Sequence, residues 1–412
     1  MVKEKLRHDK IRLGFFGSFY PSIDNLATTS NGYVKLLSED STIERVEVFC
    51  QRSGRLPDHW TRGRIELHPI WDPDSPLSLI RAIVALLRQR NELDIYFFNL
   101  HLTAFGRSRI ANSIGLLIPS IIGKVTKKPT FTYMHNLLET QNLEELGYQP
   151  SRLARVVVRL IEKATGSFTH LTVPLQSQAD AARGILGCPV QTFVLPFAEG
   201  IYALDEWLRT AQRERKQASS IPQTREVLLF GSWGPQKDLI GGLGLLSACV
   251  VPQTRVHVRV AGSANVHFPS YAKTLERLSS SQSSGGVEFL GFLPEEELAS
   301  VFLDSDLVFL PYKATGGYSA AMNVAATFRR DLVAYDLPAL REFASEIGAD
   351  CDFIDPRAIQ SSVNILSLHL SRPTIRGGNP SELLERREQA KTKVRFLVSR
   401  FQDALDRDRM DR

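Results

Sequence analysis

The sequence predicts an α/β protein built from two Rossmann-like domains. A chain of 412 residues exceeds the size of one ordinary hydrophobic core, so two domains of similar size are expected. Short runs of β-branched and aromatic residues recur along both halves, and longer segments with helical spacing separate them. This alternation is typical of parallel βαβ units. With 43% hydrophobic and 23% charged residues, the composition is that of a folded protein.

Six strands are predicted in each half of the chain. Those of the first half cover residues 11–16, 46–50, 94–99, 130–134, 171–174 and 192–195. Those of the second half cover residues 227–230, 256–261, 287–290, 307–310, 332–334 and 351–354. Each half therefore has enough strands for a sheet of its own.

A charged segment with a serine and proline tail separates the two sets of strands and predicts a solvated helix that runs into a linker. We predict a first domain over 1–198, a linker helix over 199–225, a second domain over 226–380 and a last helix over 381–412. The last segment has apolar residues at helical spacing, which predicts packing on a domain surface. These residues are Val394, Leu397, Val398, Phe401 and Leu405.

Charge and cysteine content exclude several classes of function. A net charge of +5 on so long a chain is a mild excess, so we expect no nucleic-acid partner. The four cysteines are far apart and have no metal-ligand spacing, which indicates reduced thiols and a cytoplasmic protein. The acidic turn Asp72 to Asp74 is flanked by proline, and we expect no metal there. The longest apolar stretch, 113–123, is too short to cross a membrane.

Small polar residues and glycines follow most of the predicted strands. In open α/β sheets ligands bind beyond the carboxyl ends of the strands, so these residues are the candidate site. They include Gly17, Ser18, His101, His135, Asn136, Gly231, Ser232, Gly262, Ser263, Gly291, the segment 311–319 and Asp336. Each glycine alone is equally typical of a tight turn.

The sequence TGGYSAAMN, residues 315–323, lies between a predicted strand and a predicted helix. Backbone N–H groups of residues 316–319 would point outward at the start of that helix, where a phosphate group binds readily. A tight turn without a ligand is the alternative.

Five segments of the second half, in their order and spacing, resemble the donor-binding domain of the GT-B glycosyltransferases, and in particular retaining family 4. They are VLLFGSWGPQKDLIGGL, VRVAGS, VEFLGFLPEEELASVFLDSDLVFLPY, the glycine-rich segment and LVAYDLPALREF, within residues 227–354. The first half resembles the acceptor domain through GFFGSFYPS, NGYVKLL and FTYMHNLLE. The resemblance implies two facing Rossmann-like domains, with the C-terminal helix returning to the first domain.

The resemblance also implies transfer of a sugar from a nucleotide-sugar to a glycan or lipid-linked acceptor, in polysaccharide biosynthesis, without a metal or another cofactor. His135 matches a histidine that lies beside the donor sugar, and His101 stands at the same end of the neighbouring strand. Lys237 stands at the position of the phosphate-binding lysine. The implied donor-binding residues are Gly17, Ser232, Lys237, Gly262, Phe292, Gly316, Gly317, Tyr318 and Ser319.

Two departures from the family pattern are visible. Ser232 replaces the arginine that usually follows the first glycine. The family's pair of glutamates falls on Gly316 and Val324, or on Thr315 and Asn323 with a slip of one residue, so neither register has a carboxylate.

Other readings of the sequence stay open. A non-catalytic relative that binds a nucleotide or glycan as an accessory subunit is one, and an inverting transferase or a sugar-nucleotide epimerase is another. A dinucleotide-dependent oxidoreductase fits poorly, because GFFGSF lacks the G-x-G-x-x-G spacing. Two basic and apolar segments, 107–129 and 151–165, suit either core packing or peripheral contact with the inner face of a membrane.

Overall fold

A computed structural model describes residues 10–22, 25–56, 63–138, 144, 146, 151–193, 224–252, 254–265, 268–282, 286–315, 319–372 and 380–410. The chain divides into two compact units. The first comprises Met1–Gln141, Pro150–Tyr202 and Arg387–Arg412, and the second comprises Asn142–Gln149 and Ala203–Arg386.

The first unit contains a seven-stranded parallel sheet of order β3-β2-β1-β4-β5-β6-β7. Its strands are β1 (Ile11–Phe16), β2 (Ile43–Gln51), β3 (Ile65–Trp71), β4 (Ile95–Leu100), β5 (Thr130–Met134), β6 (His170–Val173) and β7 (Val190–Thr192). Its helices are α1 (Asn25–Glu39), α2 (Pro76–Arg88), α3 (Arg109–Thr126), α4 (Arg152–Phe168) and α5 (Gln176–Leu186), with a 3₁₀ turn at Gln89–Asn91.

The second unit contains a six-stranded parallel sheet of order β10-β9-β8-β11-β12-β13. Its strands are β8 (Thr224–Phe230), β9 (Arg255–Ala261), β10 (Val287–Gly291), β11 (Leu307–Leu310), β12 (Asp331–Tyr335) and β13 (Asp352–Ile354). Its helices are α6 (Leu239–Ser247), α7 (Tyr271–Gln282), α8 (Glu295–Leu303), α9 (Ala320–Thr327), α10 (Pro338–Ile347) and α11 (Ile359–Ser371).

Both faces of the first sheet are covered, which explains why its central strands are apolar almost throughout. One face packs against α1 through residues such as Tyr33 and Leu37. The other face packs against helices α2 to α5, with Leu79, Leu116 and Ile161 among the buried residues.

Every strand predicted from the sequence has a counterpart in the structure, with ends that differ by up to three residues where both are described. Strand β3 was not predicted. Its sequence IELHPIW holds Pro69, which interrupts the pattern of a strand, yet an edge strand accommodates a proline because one side of it forms no ladder hydrogen bonds.

The C-terminal helix α12 spans Pro380–Met410, and from Arg387 onward it belongs to the first unit. Its residues Val394, Val398 and Phe401 are buried in the same core as strands β1, β4 and β5. The ring of Phe401 lies 4.7 Å from that of Phe131, in a T-shaped arrangement. The predicted return of this helix to the first domain is confirmed.

The predicted linker helix over 199–225 lies, up to residue 223, outside the described residues. Strand β8 begins at Thr224, so the last two residues of the predicted linker helix belong to a strand instead. No described helix is long and apolar enough to cross a membrane.

Candidate functional site

The chain of the second unit changes direction across its sheet between the neighbouring strands β8 and β11. After β8 the chain adds β9 and β10 on one side, and β11 to β13 then extend the sheet on the other side. Such a switch point opens a crevice at the carboxyl ends of the two central strands, where ligands bind in this class of sheet. The residues beyond these ends are 231–238 after β8 and 311–319 after β11.

Lys237 lies where the segments that follow β8 and β11 meet. Its backbone forms an antiparallel bridge with Tyr312, so the segments after β8 and β11 lie side by side. The Lys237 ammonium Nζ lies 4.4 Å from the centre of the Tyr312 ring and 5.8 Å from that of Trp233. A Cβ atom at Gly231 would collide with Nζ, so the absence of a side chain at Gly231 leaves the space that the ammonium occupies.

The Lys237 ammonium has fewer polar partners than a charged group needs. Within the described residues, no carboxylate lies within ion-pair distance of it. Part of the residue stays accessible, yet burial lowers the pKa of Lys237 to about 7. The aromatic rings stabilise the charge in part. A bound anion would stabilise the charged form much more, and the site is therefore suited to an anionic ligand.

The neighbouring carboxylate, Asp238, is engaged elsewhere. Its Oδ1 accepts a hydrogen bond from the backbone N–H of Gly241 and so caps helix α6. The same oxygen lies 2.9 Å from Nζ of Lys313, and Oδ2 accepts a hydrogen bond from the hydroxyl of Tyr335. These contacts fix the loop that carries Lys237, but they do not neutralise the charge of the Lys237 ammonium.

Helix α9 begins beside the same loop. Ser319 is buried, and its Oγ accepts a hydrogen bond from the backbone N–H of Met322, which makes it the N-cap. The hydroxyl of Tyr312 donates to the carbonyl oxygen of Phe230 at 3.0 Å and also contacts Ser319, which joins β8, the crevice and α9. The predicted donor-binding residues Gly316, Gly317 and Tyr318 lie outside the described residues.

Of the other predicted donor-binding residues in the second half, Gly262 and Ser232 lie near Gly231, whereas Phe292 lies at the edge of the sheet. Gly262 has a φ of +107°, and a Cβ there would collide with the carbonyl oxygen of Gly231, so glycine permits the ends of β8 and β9 to meet. Ser232 is half-buried beside Gly231. Phe292 is an exposed residue that follows β10, the edge strand of the sheet, two strands from β8.

The positions of the family's glutamate pair contain no carboxylate in either register. Val324 is fully buried in helix α9, and Asn323 is 3% exposed. Thr315 is half-buried, and Gly316 is outside the described residues. Helix α9, AAMNVAAT, contains no acidic residue.

A second polar cluster lies at the carboxyl ends of the strands of the first sheet. Nδ2 of Asn99, on β4, donates to Oγ of Ser30 on α1 at 2.9 Å. The Oδ1 atom of Asn99 lies 2.8 Å from Nε2 of His135, the residue after β5. Because a carbonyl oxygen can only accept, Nε2 of His135 carries the proton, and the neutral ring has its lone pair on Nδ1.

The His135 imidazole is kept neutral. Burial, followed by the charge of His101, lowers the pKa of His135 to about 3. A general base at neutral pH works best with a pKa near 7, and His135 is far below it. A neutral imidazole remains a good hydrogen-bonding partner for a hydroxyl group.

His101 and Gly17 contribute to the architecture of this end of the sheet. Nδ1 of His101 accepts a hydrogen bond from the backbone N–H of Thr103 at 3.0 Å. Gly17 is buried, and a Cβ there would lie 3.0 Å from the carbonyl oxygen of Asn99 and 3.1 Å from Oγ of Ser30. The packing of the Asn99 network uses the small size of Gly17.

Two residues of these clusters, Trp233 and Asn99, were not among the candidates from the sequence, and Tyr312 was included only as part of the segment 311–319. Trp233 and Tyr312 flank a lysine at strand ends, and aromatic residues in such loops are a usable signal for a cation site. Asn99 is the last but one residue of an apolar strand and is 0% exposed. A buried amide within a strand is unusual enough to be noticed.

No group of three His, Cys, Asp or Glu side chains that could hold a metal ion occurs among the residues that the structure describes. The acidic turn at 72–74 has structural partners. Asp72 pairs with Arg52 at 3.1 Å, and Asp74 accepts a hydrogen bond from the backbone N–H of Ser108.

Solved structures similar to this chain include GT-B glycosyltransferases. HepE from Anabaena in complex with UDP-glucose matches with a TM-score of 0.62 and 14% identity, over 96% of this chain and 99% of that chain. Sucrose-phosphate synthase from Thermosynechococcus elongatus matches with a TM-score of 0.64 and 12% identity, over 97% and 98%. The catalytic domain of starch synthase IV from Arabidopsis thaliana, bound to ADP and acarbose, matches with a TM-score of 0.58 and 13% identity, over 97% and 99%.

No protein-family model and no curated protein matches the sequence. Identities of 12 to 15% establish the fold rather than the activity. The predicted fold class is confirmed. The chain has the GT-B fold, with two parallel-sheet α/β domains and a C-terminal helix that packs in the first.

Proposed function

We propose that the protein is a glycosyltransferase that moves a sugar from a nucleotide-sugar to a glycan or lipid-linked acceptor, with retention at the anomeric carbon. One observation carries the proposal. The ammonium of Lys237 lies at the switch point of the second sheet, has no carboxylate partner among the described residues, and stands next to the start of helix α9. A diphosphate is a ligand whose charge suits this place.

The reaction would depend on stabilising the leaving group. When the bond between the sugar and the diphosphate breaks, negative charge grows on the bridging oxygen. Lys237 would be protonated when the diphosphate binds, and the first N–H groups of α9 would add their partial positive charge. Charge-assisted hydrogen bonds of this kind contribute about 1.5–3 kcal/mol each. The proposed mechanism therefore assigns the neutralising role to protein groups rather than to a metal ion.

His135 would hold the donor sugar. A neutral imidazole forms hydrogen bonds with hydroxyl groups, and Nε2 of this ring donates to Asn99. The low pKa of His135, about 3, favours this positioning role over proton abstraction by the ring. We assign no protein nucleophile, and the acceptor would attack from the face that the diphosphate leaves.

The structures of HepE in complex with UDP and with UDP-glucose support a nucleotide-sugar as the first ligand to test. Isothermal titration with UDP, GDP and UDP-glucose is expected to show binding, and Lys237→Met should weaken it by tenfold or more, about 1.4 kcal/mol. Lys273→Met is the matched control, because Lys273 is an exposed lysine on α7 of the same unit.

Turnover is tested separately from binding. Hydrolysis or transfer of the donor sugar, followed by NMR analysis of the anomer formed, is expected to give the retained configuration. Nucleotide binding without turnover on any acceptor would instead identify the protein as a non-catalytic accessory subunit. An inverted product would contradict the assignment of retention. Wild-type affinity in Lys237→Met would contradict the site itself.

A further inference from the structure

The outer surface of helices α2, α3 and α4 exposes an unusual amount of apolar side chain. Of the nineteen large hydrophobic residues exposed in the described part of the chain, ten lie on these three helices. They are Leu77, Ile80, Val84, Ile110, Val125, Leu153, Val156, Val157, Leu160 and Phe168. The three helices cover the same face of the first sheet and pack side by side.

Helix α4 shows the feature most clearly. Leu153, Val156, Val157 and Leu160 follow one another at helical spacing, and Leu153 is 74% exposed and Leu160 62%. The buried residues of the helix, Ile161, Glu162, Thr165 and Gly166, are on a different side. Core packing, one of the two readings of this segment, therefore accounts for much of α3 but not for the apolar stripe of α4.

The same three helices are strongly basic. Arg152, Arg155, Arg159 and Lys163 form a second stripe on α4, beside the apolar one. The three helices together carry eight exposed basic residues, the others being Arg81, Arg88, Arg109 and Lys124. Their single acidic residue, Glu162, is buried and accepts a hydrogen bond from the backbone N–H of Leu138. No carboxylate of these helices offsets the positive charge.

We propose that the outer surface of helices α2, α3 and α4 is a docking surface for a membrane rich in anionic lipid. Leucine and valine side chains enter the boundary between headgroups and acyl chains, and the flanking arginines contact lipid phosphates. A second copy of the chain is a poorer occupant, because a two-fold interface would place two surfaces of the same charge against each other. Docking is independent of the transferase activity, and only the assignment of a lipid-linked acceptor rests on the proposed function.

Vesicle cosedimentation tests the proposal. Wild-type protein is expected to bind vesicles with about 30% phosphatidylglycerol much more tightly than vesicles of phosphatidylcholine alone, and rising salt should weaken the binding. The triple variant Arg152→Gln, Arg155→Gln and Arg159→Gln should lose affinity by about fivefold for each arginine, or about a hundredfold in all.

The apolar part is tested with Leu153→Gln and Leu160→Gln, each of which should weaken binding on the order of tenfold. Ile359→Gln is the matched control, since Ile359 is 62% exposed on α11 of the second unit. Thermal melting and nucleotide titration verify that each variant is folded. Absence of vesicle binding, equal binding to both lipids, or equal loss in the control would overturn the proposal. So would light scattering that shows a dimer which the leucine variants dissociate.

Discussion

The lowered pKa of Lys237 predicts that nucleotide-sugar affinity depends steeply on pH. In the free protein burial places this pKa at about 7, against an ordinary value of 10.5. A bound diphosphate requires the ammonium form and returns the pKa toward its ordinary value. Affinity should therefore be highest below the pKa that Lys237 has in the ligand-free protein. It should fall as the pH rises through that pKa, because Lys237 must then take up a proton on binding.

The magnitude follows from the fraction of protein that is already protonated. A group with a pKa of about 7 is ~76% protonated at about pH 6.5 and ~3% at about pH 8.5. Affinity should fall about 25-fold between these two values, provided that the bound state stays protonated. UDP-glucose is the suitable ligand, because its diphosphate keeps both charges over this range and contributes no titration of its own.

Calorimetric titration at several pH values is the assay, and three variants accompany it. Lys237→Arg should bind with little dependence on pH, because a guanidinium stays charged throughout. Lys237→Met should bind weakly at every pH, and Lys273→Met should follow the wild-type profile. An affinity that is constant or rises with pH in the wild-type protein would contradict a role for the Lys237 ammonium in binding.

Three further predictions concern single residues. Asn99→Asp places a carboxylate beside His135 and should raise its pKa from about 3, as followed by NMR titration of the ring; an unchanged pKa would contradict the direct contact. Gly262→Ala should destabilise the second unit and weaken nucleotide binding, since its Cβ would meet the Gly231 carbonyl. Thermal melting and nucleotide titration measure the two effects, and wild-type stability together with wild-type affinity would contradict the close approach of β8 and β9. Phe401→Ala should lower the free energy of unfolding by about 3–5 kcal/mol, measured by urea denaturation; a loss below about 1 kcal/mol would contradict its place in the core.

The fold was largely predictable from the sequence because its central strands are buried on both sides. Residues 11–16, 130–134 and 307–310 were predicted with the bounds that the structure has. A buried parallel strand is a continuous apolar run with polar residues at its ends, and this pattern is local. Strand β3 was missed because Pro69 interrupts such a run, and its place at the edge became visible only with the sheet order.

The candidate site was predictable only in part. The glycines were predicted because they follow strands, and that order is read directly from the chain, whereas Lys237 was predicted from the resemblance to the GT-B donor domain. The contact of two aromatic rings with the ammonium was not predicted, because Trp233 and Tyr312 are far apart in sequence and meet only when β8 and β11 become neighbours. The exposure of the apolar stripe of α4 was undecided for the same reason, since it depends on what packs against the helix.

The decisive test of the proposed diphosphate site is a crystal structure of the protein soaked with UDP-glucose, or with UDP and GDP in turn. We expect diphosphate oxygens within about 3 Å of Nζ of Lys237, at the carboxyl ends of β8 and β11. A nucleotide bound at another edge of either sheet, with the Lys237 ammonium still packed only against its two aromatic rings, would contradict it.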